Sequence, residues 1–214
     1  MKKLLPLALS LTLIACQNNE KKNTDNEQTS AQETSKELTE AEKRLEKYVP
    51  VKLTTNVSKL TENQRLMIPS LIKVGQIMDG LFWKQAYGHK EEFLESISDE
   101  NTRRFANINY GPWDRLDGNK PFVEGVGEKP LGANYYPKDM TKEEFEAADL
   151  DNKGSLYTLI RRDSTGKLTS IPFHEAFKED LAEAAELLLG ASYYADNEQL
   201  KKHLMLRAEA LITG

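Results

Sequence analysis

Residues 155–189 read SLYTLIRRDSTGKLTSIPFHEAFKEDLAEAAELLL, and this stretch decides the fold class. Residues 155–162 and 167–172 are rich in β-branched and aliphatic side chains. Asp163-Ser164-Thr165-Gly166 between them has the composition of a tight hairpin turn. From Glu175 the period changes, and apolar residues recur at helical spacing to Leu189, with Gly190 as the expected stop. A two-stranded hairpin that runs straight into a helix predicts an α+β chain, mainly helical.

The neighbouring segments extend this pattern. Asp196 or Asn197 is placed to cap a last helix through Leu200, Leu204, Leu211 and Ile212. That helix and its predecessor form one helical pair, but no second copy of the pair exists, which argues against a repeat array. On the other side, a Thr141 start of the Thr-x-x-Glu type predicts a short helix over 141–148. Residues 107–137, NINYGPWDRLDGNKPFVEGVGEKPLGANYYP, are rich in glycine and proline and hold no sustained period. They form a long loop of the kind that is functional or tightly packed. Thr61 and Gln64 make a capping-box pair before an apolar run from Leu66 to Trp83, which predicts a central, mostly buried helix broken or kinked at Pro69. Residues 38–48 place Leu38, Ala41, Leu45 and Tyr48 on one helical face, and Pro50 ends that segment.

The beginning of the chain has a different character. Lys2 and Lys3 precede an apolar run from Leu4 to Ala15 that is too short to span a bilayer, so residues 1–15 read as a signal peptide. It exits through Leu13-Ile14-Ala15-Cys16, the pattern of a lipoprotein whose cysteine is acylated before cleavage. Cys16 is the only cysteine in the chain, so no internal disulfide is available and packing must stabilise the body. Residues 17–36 contain a single apolar residue, Ala31, and with Cys16 form an acylated, disordered tether. The position after Cys16 is Gln17 rather than aspartate. That favours an outer-membrane address in the cell envelope, on its periplasmic face or at the cell surface. The body is then residues 37–214, enough for one domain with a core. A net charge of −5 with scattered Lys and Arg excludes a nucleic-acid surface.

Three arrangements resemble catalytic or ligand motifs and fail on chemistry. His174-Glu175-Ala176-Phe177-Lys178 begins like the zinc-peptidase helix His-Glu-x-x-His, but an ammonium at Lys178 repels the cation that a second imidazole would hold. His89, His174 and His203 are the only histidines and are widely spaced, so no metal site is written in the chain. Asp149 to Gly154 imitates a calcium loop, yet Lys153 and Ile160 stand where oxygen ligands belong. Gly125-Val126-Gly127 lacks the third glycine of a dinucleotide fingerprint, and Pro130 follows. No Gly-x-Ser-x-Gly elbow occurs. On the residues alone, the body carries no catalytic residue.

The long loop, together with IMDGLFWKQAYG before it and LYTLIRRDSTGKLTSIPFHEAF after it, resembles the N-terminal part of the bacterial dipeptidyl peptidase III family, from about Leu38 to Gly214. The resemblance implies part of a larger two-lobed fold in which short peptides bind between the lobes and lose dipeptides from their N-termini. It also implies a zinc metallopeptidase whose ligands come from a His-Glu-x-x-x-His helix and a later glutamate-rich helix. Neither motif is present here. Both are expected C-terminal to residue 214, so the chain reads as an N-terminal fragment that binds no zinc itself and is inactive without that remaining part. Its own contribution to the cleft would come from Tyr110, Trp113, Asp114 and Arg115, which suit peptide termini and backbones. The alternative for the loop is that Trp113 packs while Asp114 and Arg115 pair with each other. The alternative for the whole chain is a non-catalytic periplasmic or surface lipoprotein that acts as a binding module. If the fragment reading holds, apolar surface should be exposed on the helices between residues 175 and 214.

Overall fold

A computed structural model describes residues 37–214; the expected signal peptide, the expected acylation site Cys16 and the expected tether lie outside the described residues. Among them, eight helices and two antiparallel hairpins follow one another: α1 (Glu40–Leu45), α2 (Glu62–Ala86), α3 (Lys90–Glu95), α4 (Glu100–Asn109), β1 (Trp113–Asp114), β2 (Lys120–Pro121), α5 (Lys142–Ala147), β3 (Thr158–Arg162), β4 (Leu168–Pro172), α6 (Phe173–Ala176), α7 (Lys178–Tyr193) and α8 (Glu198–Thr213). The α+β expectation is borne out, with helices dominant. None of these helices is long and apolar enough to cross a membrane.

The organising element is α2. It starts with the expected capping box, in which the Thr61 hydroxyl accepts from Gln64 N–H and the Gln64 side chain accepts from Thr61 N–H. The turn before α8 reinforces this start: Asp196 accepts from the Thr61 hydroxyl at 2.6 Å and from Asn63 at 2.7 Å.

Three apolar clusters lie along α2. Met67 meets Ala185, Leu188 and Ala191 of α7 with Leu204 and Ala208 of α8. Leu81 meets Leu159 of β3 with Phe177 and Leu181. Trp83 meets Phe93 of α3, Ile97 and Ala106 of α4. Small residues on the inward stripe of α7 let the helices approach closely, and Ala184 and Ala191 are wholly buried. A 2.6 Å ion pair between Lys84 and Asp180 also joins α2 to α7.

Several local expectations need correction. The helix does not break at Pro69; α2 is continuous through it, although Pro69 has no N–H to bond the carbonyl four residues back. Nor is α2 mostly buried, since Leu66, Ile72 and Phe82 are exposed. Gly190 does not end α7, which runs on to Tyr193 because Ala191 and Ser192 are still packed in the interior. Between α2 and the long loop two further helices appear, α3 and α4. Their short, charged sequences KEEFLE and ENTRRFANIN bury one and three residues respectively.

The hairpin β3–β4 has the expected turn, with Thr158 opposite Pro172 and Arg162 opposite Leu168. Asp163 accepts from the N–H groups of Thr165 and Lys167 within the turn. The sequence that imitates a calcium loop is a helix stop. Lys153 Nζ donates to the carbonyls of Phe145, Glu146 and Ala148 at 2.6–2.9 Å, so the ammonium caps the open end of α5.

The long loop is ordered by its neighbours rather than by its own period. Asn134 N–H and side chain donate to the carbonyls of Gln85 and Lys84 at the end of α2. The Tyr135 carbonyl accepts from Ile160 N–H, and Arg161 donates to the carbonyls of Asn134 and Tyr135. The loop thereby closes the C-terminal end of α2 and flanks β3.

Candidate functional site

The four residues singled out on the loop divide into two pairs. Trp113 is buried against Tyr87, with ring centroids 5.7 Å apart, and its indole N–H donates to the Gly127 carbonyl at 3.0 Å. Asp114 is 3% exposed; it accepts from Leu116 N–H at 2.9 Å and from Lys47 Nζ at 3.0 Å. Both are turned into the body, where they fix the β1–β2 hairpin and attach the segment that follows α1.

Tyr110 and Arg115 lie on the other side. Tyr110 ends α4 in the left-handed region, with φ of 53°. Gly111, at φ of 144°, follows it and donates to the Ala106 carbonyl at 3.1 Å. The positive φ is what suits glycine here, since a Cβ at Gly111 would make only ordinary contact, 3.4 Å from the Trp113 ring. The reversal sends the Tyr110 ring back onto α2, 4.7 Å and edge-on from Phe82 and 5.3 Å from Trp83.

Its hydroxyl donates to Asp79 at 2.5 Å, and Lys90 donates to the same carboxylate at 3.3 Å. The Tyr110 hydrogen bond, with Lys90 adding to it, holds Asp79 below the usual carboxylate range, and the same bond raises the Tyr110 phenol.

Arg115 does not pair with Asp114. Its backbone N–H donates to Asn109 Oδ1 and its Nε to the Asn109 carbonyl, both at 2.9 Å. Asn109 is itself buried and anchored to the Phe105 carbonyl. The guanidinium lies 5.3 Å from both the Phe82 and the Tyr110 ring centroids. Lys129, further along the loop, is half-buried and donates to Asn119 at 3.2 Å. Burial lowers the Lys129 ammonium pKa, and the positive charge of Arg115 lowers it further.

Phe82, Asp79, Asn109 and Lys129 were not marked as site residues by the sequence. Phe82 falls within an apolar run that reads as core, and nothing in the local sequence joins Asp79 to Tyr110. Phe82 also borders a hollow of about 500 Å³ walled by Met78, Leu81, Tyr157, Phe173 and Phe177, with His174 and Arg207 at its edge.

The described residues do not fit a catalytic zinc. No group of three His, Cys, Asp or Glu side chains among them converges on a metal position. His174 is in α6, whereas Lys178 opens α7 after a break at Phe177.

No sequence-family model matches the chain. A protein of Arabidopsis thaliana called Nudix hydrolase 3 is 25% identical over 235 aligned positions, covering 81% of this chain and 30% of that protein. A structure of DPP III from Caldithrix abyssi superposes with a TM-score of 0.74 at 38% identity, over 79% of this chain and 34% of the other. A structure of dipeptidyl-peptidase III from Corallococcus sp. strain EGB gives a TM-score of 0.73 at 28% identity, over 81% and 35%. The chain therefore spans about a third of the length of the proteins it matches. In fold and in sequence it is similar to dipeptidyl peptidase III structures, corresponding to about a third of those chains.

Proposed function

We propose that residues 37–214 are the N-terminal segment of an exported, lipid-anchored zinc dipeptidyl peptidase that removes dipeptides from short peptides. The observation that carries this reading is the 38% identity to a DPP III structure across 79% of the chain. In this account the catalytic zinc and its ligands belong to a C-terminal part of the enzyme, beyond residue 214. When bound there, zinc supplies Lewis-acid polarisation of the scissile carbonyl and lowers the pKa of water. The described residues supply one wall of the cleft and no metal ligand.

Two features support a role as one part of a larger body. Leu189, Met205, Leu206 and Ile212 are 42–53% exposed and border a shallow hollow of about 440 Å³ on the outer face of α7 and α8. Leu66 and Ile72 extend exposed apolar surface along α2. The Nudix name belongs to a protein of which this chain matches 30%, at lower identity than either DPP III structure. Peptide hydrolysis is therefore the reading with more support. The whole enzyme is expected to release dipeptides from a dipeptidyl arylamide, and failure to do so would remove the peptidase reading.

The anchor is a separate element of the proposal and rests on the sequence around Cys16. Cys16→Ala is expected to abolish incorporation of a labelled fatty acid and to leave the precursor uncleaved, which electrophoretic mobility and fluorography measure together. Labelling unchanged from the wild type would refute lipid attachment at Cys16, and with it the outer-membrane placement.

A further inference from the structure

Residues 49–57, VPVKLTTNV, carry their apolar side chains at the period of a strand with one apolar face. Val49, Val51, Leu53 and Val57 alternate with Pro50, Lys52, Thr54 and Asn56. No helix, turn or bend interrupts the chain from Tyr48 to Val57. Yet Val49, Val51 and Leu53 are 81%, 73% and 91% exposed. Single exposed aliphatics are ordinary, whereas a whole row of them in strand period marks a surface that is meant to be covered.

The backbone is as bare as the side chains. Among the described residues, no N–H or carbonyl from Val49 to Thr55 bonds another backbone group. Both ends of the segment are nevertheless fastened to the body. Lys47 donates to Asp114 at 3.0 Å, and the Tyr48 ring stands 5.8 Å from the Phe105 ring. Beyond the segment, Arg65 donates to the carbonyls of Ser58 and Leu60 at 3.2 and 2.9 Å. A segment held at both ends and unpaired between them is a strand already presented for pairing.

The sequence also indicates which edge pairs. Along a strand, consecutive residues direct their N–H and C=O groups to opposite edges. The odd-numbered residues offer both groups on one edge, while the other edge begins at Pro50, which has no N–H. Proline in a sheet belongs where its edge faces solvent. The odd-numbered edge is therefore the one that meets a neighbour, and the same residues form the apolar face.

The neighbour must supply both a strand and an apolar layer. Residues 17–36 have Ala31 as their one apolar residue and cannot supply that layer. A second copy pairing through the same edge would make a two-stranded ribbon whose apolar face is still open, which is marginal in water. The similar DPP III structures have the missing length, since only 34% and 35% of those chains correspond to this one.

We propose that residues 49–57 are the edge strand of a sheet whose next strand belongs to the C-terminal part of the same polypeptide, which also covers the apolar face. The proposal rests on the peptidase reading only for the existence of that part, and on none of its chemistry.

Residue-resolved hydrogen exchange on the whole protein reads the pairing directly. The amides of Val51, Leu53 and Thr55 are expected to exchange at least about a hundredfold more slowly than those of Lys52, Thr54 and Asn56, after correction for intrinsic rates. Adjacent threonines give a matched pair of variants. Thr55→Pro removes an N–H from the paired edge and should speed exchange at Leu53 by at least about tenfold, whereas Thr54→Pro acts on the outer edge and should change it by less than about twofold. A benzophenone side chain in place of Leu53 identifies the neighbour, with a photo-cross-link expected inside the same chain, to sequence beyond residue 214.

Fast exchange at all six amides, protection without alternation, or equal effects of the two prolines would overturn the proposal. So would a cross-link to a second copy, to another protein or to a substrate peptide. The wild-type exchange pattern needs no variant, so a proline variant that fails to fold does not decide the matter. Dipeptide release by a whole protein without this protection would remove the strand and leave the peptidase reading; alternating protection and the internal cross-link without dipeptide release would do the reverse.

Discussion

Trp83→Ala is expected to lower the stability of the body by about 3–5 kcal/mol, the usual range for removing a buried large aromatic side chain. Trp83 is 1% exposed and lies where α2, α3 and α4 meet, 6.3 Å from the Phe93 ring and 5.3 Å from the Tyr110 ring. No neighbouring side chain can move in to fill the gap without dragging a helix, because Phe93 and Tyr110 are each fixed at a helix or its end. Urea denaturation followed by far-ultraviolet dichroism measures the change. Trp113 is the other tryptophan in the chain, so the variant also isolates the fluorescence of the loop. A loss below about 1.5 kcal/mol, the range of swaps that conserve volume, would mean that this cluster is not a true core.

The second large effect is at Asp114. Replacing a carboxylate that accepts from both Leu116 N–H and Lys47 Nζ removes two charge-assisted hydrogen bonds, for a combined loss of about 3 kcal/mol. Asp114→Asn keeps one acceptor oxygen and should lose about half as much. Lys47→Ala should lose less than either, since Lys47 is largely solvated while Asp114 is not. The loss is expected to be local as well as global. Hydrogen exchange should quicken across α1, which the Lys47 contact and the Tyr48 ring on Phe105 hold to the rest. Unchanged exchange across α1 in Asp114→Ala would refute the link between that helix and the loop.

How far the sequence carried the fold follows from which signals were local. The capping boxes, the Asp163–Gly166 turn and the Asn197 cap depend on bonds within three or four residues, and each can be read from a short string. Gly190 misled because a glycine stops a helix only when nothing beyond it needs burying, and Ala191 needs burying against α2 and α8. Helices α3 and α4 escaped notice because short, charged helices are stabilised by a few apolar contacts, here Phe93 and Phe105, rather than by a long stripe. The order of the long loop was invisible for a related reason. Its acceptors are the last carbonyls of α2 and its donors lie on β3, tens of residues away.

The candidate site shows the same division. Tyr110 and Arg115 stand on a loop whose composition marks it, whereas Phe82 and Asp79 join them only through the fold. Trp113 and Asp114 share that composition but are both buried, Trp113 against Tyr87 and Asp114 by its bonds to Lys47 and Leu116 N–H. The decoys were legible by charge alone. An ammonium at position 153 or 178 is incompatible with a cation site, and Lys153 is spent on the end of a helix.

The account rests on the division of labour between this body, which frames a peptide cleft, and another part of the enzyme, which holds the metal. Elemental analysis of purified residues 37–214 after exposure to zinc and gel filtration tests that division most directly. The account predicts no stoichiometric zinc and no release of dipeptide from a dipeptidyl arylamide by the same sample. About one tightly held zinc per chain, lost in His174→Ala, would contradict it and would make the His174 segment a true ligand.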